Sequence, residues 1–196
     1  MGELILTGVI AYLLGSIPIG VIVSKFWGRD IREHGSKNIG TTNALRVLGP
    51  LAALITLVGD VVKGTVGVLL GMYICSTMWG MAVGAVAAVF GHTYPLYLQF
   101  KGGKGIATAF GAAIILAPSL GLSLAVIWIV VILLTRYVSL GSIVAAASAP
   151  LLVYILSLPA ELYLFAFLVG GNSIIRHHSN IKRLLAGKEY KIGQRV

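Results

Sequence analysis

Long uncharged apolar runs alternate with short polar segments along the chain, and this pattern predicts helices that cross a membrane. The first run, Leu4–Ser24, has no charged residue over 21 positions, which is long enough for one helix across a ~30 Å hydrocarbon core. Further spans are predicted near 48–74, 77–98, 138–158 and 162–175.

The segment from Ile106 to Thr135 leaves two interpretations open, one tilted helix or two short helices bent at Ala117-Pro118-Ser119. The basic residues decide between them. Two helices give seven spans, with fourteen of the fifteen Lys and Arg residues on one side and Lys63 inside a span. One helix gives six spans and seven basic residues on each side. Because cytoplasmic loops concentrate Lys and Arg, we predict seven spans, the N-terminus outside and the C-terminus cytoplasmic.

Composition supports an all-α integral membrane protein. Apolar residues make up 58% of the chain and charged residues 11%, against roughly a quarter in ordinary globular domains. A cytosolic enzyme, a disordered chain and a secreted disulfide scaffold are thereby excluded, and a single cysteine permits no internal disulfide. The net charge of +9 reflects cytoplasmic loops rather than a nucleic acid partner. We predict one transmembrane domain, 1–196, with cytoplasmic loops at about 25–47, 99–105, 136–142 and 176–196.

The first polar loop has a composition suited to a phosphate group. Glycines allow tight turns there, and short polar side chains and exposed backbone N–H groups can donate hydrogen bonds. The candidate residues are Ser36, Asn38, Gly40, Thr41, Thr42 and Asn43. Arg46 follows near the start of the second span, where the positive helix end adds to its charge. A solvated turn with one anchoring arginine is the alternative.

The second polar segment places glycines and lysines directly before a helix. Lys101, Gly102, Gly103 and Lys104 can direct backbone N–H groups and ammonium groups at an oxyanion, and His92 precedes them. The segment is not a Walker A loop, because Leu98 and Gly105 stand where that motif requires Gly and Ser or Thr. A basic loop that contacts anionic lipid is the alternative.

The third polar segment follows the last span. On a continuous helix His177 and Asn180 share a face, whereas the side chain of His178 points elsewhere. A basic end to the last helix would explain the arginines and lysines but not Asn180 or Glu189. Weaker candidates are Ser139 and Ser142 near the third cytoplasmic loop, which could line a site or cap a helix. The Asp60–Lys63 pair inside the second span is another, for which a structural role is favoured.

Three groups of residues resemble the motifs of the PlsY family, bacterial membrane glycerol-3-phosphate acyltransferases that use acyl phosphate. They are Ser36-x-Asn38-x-Gly40-x-Thr42-Asn43-x-x-Arg46, then Gly91-His92-x-x-Pro95 with Phe100-Lys101-Gly102-Gly103-Lys104-Gly105, then His177-x-x-Asn180-Ile-Lys-Arg-Leu-x-x-Gly187-x-Glu189. The resemblance covers essentially the whole chain. The chain also lacks the His-x-x-x-x-Asp pattern of acyl-CoA-dependent acyltransferases.

The resemblance implies transfer of a fatty acyl group from acyl phosphate to the 1-hydroxyl of glycerol 3-phosphate, giving lysophosphatidic acid and phosphate. It implies no cofactor or metal, a monomer in contact with membrane lipid, and an active site on the cytoplasmic side of the bacterial inner membrane. The implied catalytic residues are His177, Lys104, Arg46 and Asn180. The implied substrate-binding residues are Ser36, Asn38, Gly40, Thr41, Thr42, Asn43, Lys101, Gly102, Gly103, Ser142, His92 and Glu189.

Two questions stay open on the sequence. An anion transporter or channel with a basic vestibule is the alternative function, favoured only by Asp60 and Lys63, and a lipid-binding structural protein is a third hypothesis. His177 acts either as the general base or as a hydrogen-bond donor to the substrate, with the departing phosphate accepting the proton. We favour the second role.

Overall fold

The computed structural model describes residues 1–194, which form ten α-helices, one 3₁₀ turn and no strand. The helices are α1 (Gly2–Gly15), α2 (Ile19–Phe26), α3 (Thr41–Val47), α4 (Pro50–Cys75), α5 (Met78–Thr93), α6 (Ile106–Leu116), α7 (Pro118–Thr135), α8 (Val138–Ile155), α9 (Leu162–Arg176) and α10 (His178–Leu185), with the 3₁₀ turn at Leu96–Leu98. Arg195 and Val196, the end of the predicted segment 176–196, lie outside the described residues.

Five helical segments among the described residues are long and apolar enough to cross a membrane. They are Gly2–Phe26, Pro50–Cys75, Met78–Leu98, Pro118–Thr135 and Val138–Ile155, and the shorter apolar helices Ile106–Leu116 and Leu162–Arg176 accompany them. The chain is therefore a multi-pass, all-helical membrane protein over the described residues. At ~1.5 Å per residue α6 is only about 16 Å long, so its length alone does not span a ~30 Å core.

Proline residues set several helix boundaries that the hydropathy pattern does not locate. The uncharged segment 106–135 forms two helices, because α7 begins with Pro118 at its first position. The first predicted span is broken between Gly15 and Ile19, where Pro18 precedes α2. Helix α5 ends at Thr93, earlier than the predicted 98, because Pro95 disfavours the helical conformation for the residue before it.

Helix α4 lies at the centre of the bundle and packs against α1, α5 and α6. It approaches α5 closely because glycines face each other. A Cβ atom on Gly67 or Gly84 would overlap the backbone oxygen of the other residue, and Gly71 and Gly80 form a similar pair. Large apolar side chains point outward instead, such as Leu134, which is 80% exposed and faces the surroundings that lipid occupies.

Candidate active site

One buried amide organises the first polar loop. The Asn43 side chain makes four hydrogen bonds, from its Nδ2 to the carbonyls of Ile31, His34 and Asn38 and to its Oδ1 from the backbone N–H of Ser36. It is 1% exposed. Its polar atoms are thus used within the loop, and they hold residues 31–43 in one conformation. Asn43 acts on the loop rather than offering free polar atoms to a ligand.

The end of the first polar loop forms the short helix α3, Thr41–Val47. Gly40 precedes this helix, the backbone N–H of Gly40 donates to Asn38 Oδ1, and the buried Thr41 hydroxyl has no hydrogen-bond partner. Thr42 and Ser36 are exposed. The expectation for Arg46 was wrong in one respect: it lies in the last turn of α3, and residues 47–49 separate it from Pro50, where α4 begins.

The glycine-rich segment 101–105 is fixed from one side by Arg176. The guanidinium group donates from Nη2 to the carbonyl of Gly102 at 2.7 Å and from Nε to that of Gly103 at 3.1 Å. It also lies over the Tyr94 ring, 5.3 Å from the centroid. Lys101 is exposed. Arg176 therefore couples the end of α9 to this loop, 73 and 74 positions away in sequence.

On the other side of the loop, Lys104 joins the third polar segment. Its Nζ donates to Asn180 Oδ1 at 2.6 Å, and Asn180 Nδ2 donates to Glu189 Oε1 at 2.7 Å. Glu189 also accepts hydrogen bonds from Ser139 Oγ and Arg183 Nε. The Asn180 amide thus lies between the Lys104 ammonium, which donates to its oxygen, and the Glu189 carboxylate, which accepts from its nitrogen. These two hydrogen bonds hold the amide in one orientation.

The ionisation of this network follows from burial and neighbouring charges. Burial lowers the pKa of Lys104 to about 8, because the attraction of Glu189 is offset by Arg183, Arg46 and Arg176. Burial acts to raise the pKa of Glu189, but hydrogen bonds, first from Asn180 and then from Arg183 and Ser139, bring it below its usual value. Near pH 7 the network contains an ammonium with a readily lost proton beside an ionised carboxylate.

His177 lies between α9 and α10 and is 2% exposed. Its Nδ1 is 2.7 Å from the carbonyl oxygen of Ser173, and since that oxygen only accepts, Nδ1 carries the proton. Burial and then the charge of Lys104 lower the pKa of His177 to about 4, so the ring is neutral near pH 7. Its Nε2 is therefore an acceptor, which corrects the expected donor role. His178 is exposed, as the spacing predicted.

Arg46 reaches the same region from the first loop. Its guanidinium lies over the Tyr190 ring, 5.2 Å from the centroid. Tyr190 directly follows Glu189, the carboxylate of the Lys104 network. The structure therefore brings Arg46, Lys104, His177, Asn180 and Glu189 to one end of the bundle, although they lie in three separate segments.

Two predicted site residues are occupied by contacts within the bundle. The Ser142 hydroxyl accepts from Trp128 Nε1 at 3.2 Å and donates to the Val138 carbonyl. Ser142 lies about one turn after Ser139 in α8. His92 is 4% exposed and lies beside Asp60 rather than in an open cavity. The Ser142 hydroxyl is thus fully hydrogen-bonded, whereas His92 Nδ1 is buried with no hydrogen-bond partner among the described residues.

A cationic cavity of about 320 Å³ lies between the first loop and the glycine-rich segment. Its lining contains four basic side chains and two apolar ones: Arg32, Lys37, Ile39, Phe100, Lys101 and Arg176, with Gly102. No acidic side chain lines it, although Asp30 forms an ion pair with Arg32 at 2.6 Å. The cavity suits an anion attached to an apolar group.

An apolar groove of about 260 Å³ runs along the surface where α8 and α9 pack together. Small residues form most of it, namely Ala146, Ala147, Pro150, Ala166, Gly170 and Gly171, with Phe167 and Ile174. Ile174 lies three residues before His177, and Ala146 lies four residues after Ser142. The groove thus continues along both helices from the polar end into the apolar part of the bundle.

Sequence reasoning missed Tyr190 and assigned no contacts to Ser139, Arg176 and Arg183. Ser139, Arg183 and Tyr190 complete the surroundings of Glu189 and Arg46, and Arg176 fixes the glycine-rich segment. Arg183 stands within the third motif, which was a usable signal. Over residues 1–194 no group of three or more His, Cys, Asp or Glu side chains is arranged to hold a metal ion.

Comparison with known proteins places this geometry in context. The model of the glycerol-3-phosphate acyltransferase family matches residues 5–187. A glycerol-3-phosphate acyltransferase of Thermoanaerobacter pseudethanolicus is 45% identical over 98% of this chain and 97% of its own. One from Rubrobacter xylanophilus is 42% identical over 97% and 96%, respectively.

Two solved structures share the fold. A crystal structure of PlsY, an integral membrane glycerol 3-phosphate acyltransferase, in the glycerol 3-phosphate form is 38% identical, with a TM-score of 0.92 and coverage of 97% of this chain and 96% of that chain. The lysophosphatidic acid form is 37% identical with a TM-score of 0.90, covering 97% and 95%.

Proposed function

This chain belongs to the glycerol-3-phosphate acyltransferase family, and from that premise we propose that its acyl donor is a fatty acyl phosphate. The oxygen of the 1-hydroxyl of glycerol 3-phosphate attacks the donor's carbonyl carbon, the bond from that carbon to the phosphate oxygen breaks, and phosphate leaves with the electron pair. The products are lysophosphatidic acid and inorganic phosphate. The observation that carries the proposal is the convergence of Lys104, Arg46 and neutral His177 at one end of the bundle. The glycine-rich segment that contains Lys104 also contributes Lys101 and Gly102 to the cationic cavity.

The two phosphate groups are assigned to the two cationic regions. Lys104 and Arg46 bind the phosphate of glycerol 3-phosphate, with Asn180 holding the ammonium in place. The first loop, residues 36–43, binds the donor phosphate at the wall of the cationic cavity, to which the loop contributes Lys37 and Ile39. Charge complementarity supports this assignment, because each phosphate meets at least two basic side chains.

The acyl chain is assigned to the apolar groove between α8 and α9. Its small lining residues leave room for a flexible hydrocarbon chain, and it begins one helical turn from His177. Ser142, whose hydroxyl is held by Trp128, borders the start of this path rather than binding phosphate.

An acyl phosphate is an activated mixed anhydride, so positioning and charge stabilisation can supply most of the catalysis without a covalent intermediate. His177 Nε2 accepts a hydrogen bond from the 1-hydroxyl and orients its oxygen towards the donor. A ring with a pKa of about 4 is a weak base, whereas the phosphate oxygen that gains the electron pair of the broken bond becomes strongly basic as the phosphate leaves. The departing phosphate therefore takes the proton.

We also propose seven spans, with the N-terminus outside and the site on the cytoplasmic side of the bacterial inner membrane, in a single-domain monomer. The basic asymmetry supports this orientation, because no Lys or Arg lies on the opposite side. In a Cys75→Ala background, a membrane-impermeant label on a cysteine at position 160 is expected to react from outside in intact cells. Protection there, with labelling only after lysis, would contradict the orientation.

Phosphate release from acyl phosphate by the purified protein in detergent tests the reaction. We expect release that depends on glycerol 3-phosphate, with one lysophosphatidic acid formed per phosphate. A transporter needs a membrane barrier and would give no turnover. Only the charged pair inside α4 favours a transporter, and this argument is weakened because Lys63 and Asp60 pair with each other at 2.9 Å.

His177→Gln separates the two roles of the histidine. If the ring only accepts a hydrogen bond, we expect partial activity with a raised KM for glycerol 3-phosphate and an unchanged pH profile between pH 6 and 8. A full loss of kcat with unchanged substrate binding would assign the proton transfer to His177 instead.

A further inference from the structure

Three ionisable side chains are buried together where α4 meets α5. Asp60 is 2%, Lys63 7% and His92 4% exposed. Asp60 Oδ1 lies 2.9 Å from Lys63 Nζ and 3.4 Å from His92 Nδ1. Lys63 also donates to the Ile17 carbonyl at the break between α1 and α2. Ionisable groups are costly inside a membrane protein, and a pair alone would neutralise the charge, so the added histidine needs its own explanation.

The opposite edge of the His92 ring touches the glycine-rich segment. A Cβ atom on Gly103 would overlap His92 Nε2 and would also meet the two neighbouring ring carbons. The backbone N–H of Gly103 donates to the His92 carbonyl at 3.1 Å. A Cβ atom on Gly102 would meet the carbonyl oxygens of His92 and Thr93. Both glycines are therefore needed for close approach to His92.

The geometry points to His92 as a positioning residue for Lys104, with Asp60 orienting the histidine ring. Asp60 faces Nδ1 and thereby directs Nε2 to the opposite side, where Gly103 packs against it. Lys104 follows Gly103 directly, so the contact fixes the backbone from which the ammonium reaches Asn180. His92 itself does not touch substrate, which departs from its expected role in substrate binding.

This inference rests on the proposed role of Lys104, and a double-mutant cycle tests it. His92→Ala is expected to raise the KM for glycerol 3-phosphate about tenfold, with kcat changed less than about threefold. The reason is that the His92 ring no longer fixes the backbone that positions Lys104. In a Lys104→Ala background the same change should add almost nothing. His178→Ala, at an exposed histidine, is the matched control and should leave both constants unchanged.

Each kinetic result decides a separate point. An unchanged KM in His92→Ala, or an equal rise in both backgrounds, would overturn the positioning role while leaving the proposed function intact. Full activity of Lys104→Ala would overturn the proposed role of Lys104, and the role of His92 through Lys104 with it, while the acyl transfer reaction itself would stand. His92→Asn keeps a nitrogen facing Asp60 but shortens the side chain, so it should reproduce the rise in KM even where His92→Ala folds poorly.

Thermal unfolding tests the contact without any activity measurement. Gly103→Ala should lower the unfolding temperature, because its methyl group overlaps the His92 ring. In the double variant with His92→Ala the overlap is absent, so the combined decrease should be smaller than the sum of the two single decreases. Additive decreases would show that the ring and the loop are energetically independent and would overturn the inference.

Discussion

Replacing Lys104 by alanine is the most direct test of the charge arrangement in this site. The Lys104 ammonium donates to Asn180 at 2.6 Å and lies near Arg46 and Arg176, so a bound phosphate would meet it as part of a basic cluster. Charge-assisted hydrogen bonds contribute roughly 1.5–3 kcal/mol, and each 1.4 kcal/mol is about tenfold. We therefore expect kcat/KM for glycerol 3-phosphate to fall about ten- to a hundredfold in Lys104→Ala.

The pH dependence makes the test specific to this ammonium. Since the pKa of Lys104 is about 8, the free enzyme loses this positive charge as the pH rises through 8. The charged form binds phosphate, so kcat/KM should fall above pH 8 and be steady below it. Lys104→Arg remains charged throughout this range, and its profile should lack that decrease. Its activity should still be lower, because a planar guanidinium does not reproduce the compact ammonium.

Steady-state rates of the purified protein in detergent, measured between pH 6 and 10, provide the readout. Lys188→Ala is the control, because this exposed lysine lies on the same end of the bundle and outside the proposed site. It should stay within about twofold of the parent. A Lys104→Ala loss below threefold, or an unchanged decrease above pH 8 in Lys104→Arg, would refute the reasoning.

Three further changes test other parts of the structure. Activity should survive strong chelation, measured as phosphate release, and a loss restored by one divalent ion would contradict this. Asn43→Ala leaves backbone groups of the first loop unpaired, so unfolding should become easier by more than about 2 kcal/mol, measured by thermal or denaturant unfolding. The folded pKa of Glu189 is depressed, so its stabilisation is present above the ordinary value of 4.5 and is lost as the pH falls below it. Glu189→Gln should therefore lose less stability than the parent between pH 5 and 3, and equal losses would contradict the assignment.

The sequence predicted the helical elements well because their signals are local. An apolar run that continues through Asp60 and Lys63 located α4, an uncharged run located α8, and Pro118 marked the boundary that divides 106–135 into two helices. The first span was the less accurate case, because its hydropathy is continuous across the break at Ser16–Pro18. Hydropathy records transfer into lipid, whereas a break is decided by backbone hydrogen bonds that proline removes.

Contacts between distant segments were not predictable in the same way. The motifs placed Lys104 and Asn180 among the candidates, but their 2.6 Å contact joins positions 76 residues apart. Glu189 was expected to bind substrate, yet three hydrogen bonds to protein side chains occupy it. A motif indicates which residues are needed, and only the packing of the segment before α6 with α8, α10 and the residues after α10 decides which of them face each other.

The ionisation states show why residue identity underdetermines chemistry. A histidine near a membrane interface titrates at about 6.5 when it is solvated, which fits a general base near neutral pH. Burial beside Lys104 lowers the pKa of His177 to about 4, and its bond to Ser173 leaves Nε2 as an acceptor. Both effects come from residues that the third motif does not contain. The same packing that makes His177 a poor base lowers the pKa of Lys104 towards neutrality, so one buried environment tunes both groups towards binding and orientation. With a donor that is already activated, these are the tasks that the site must perform.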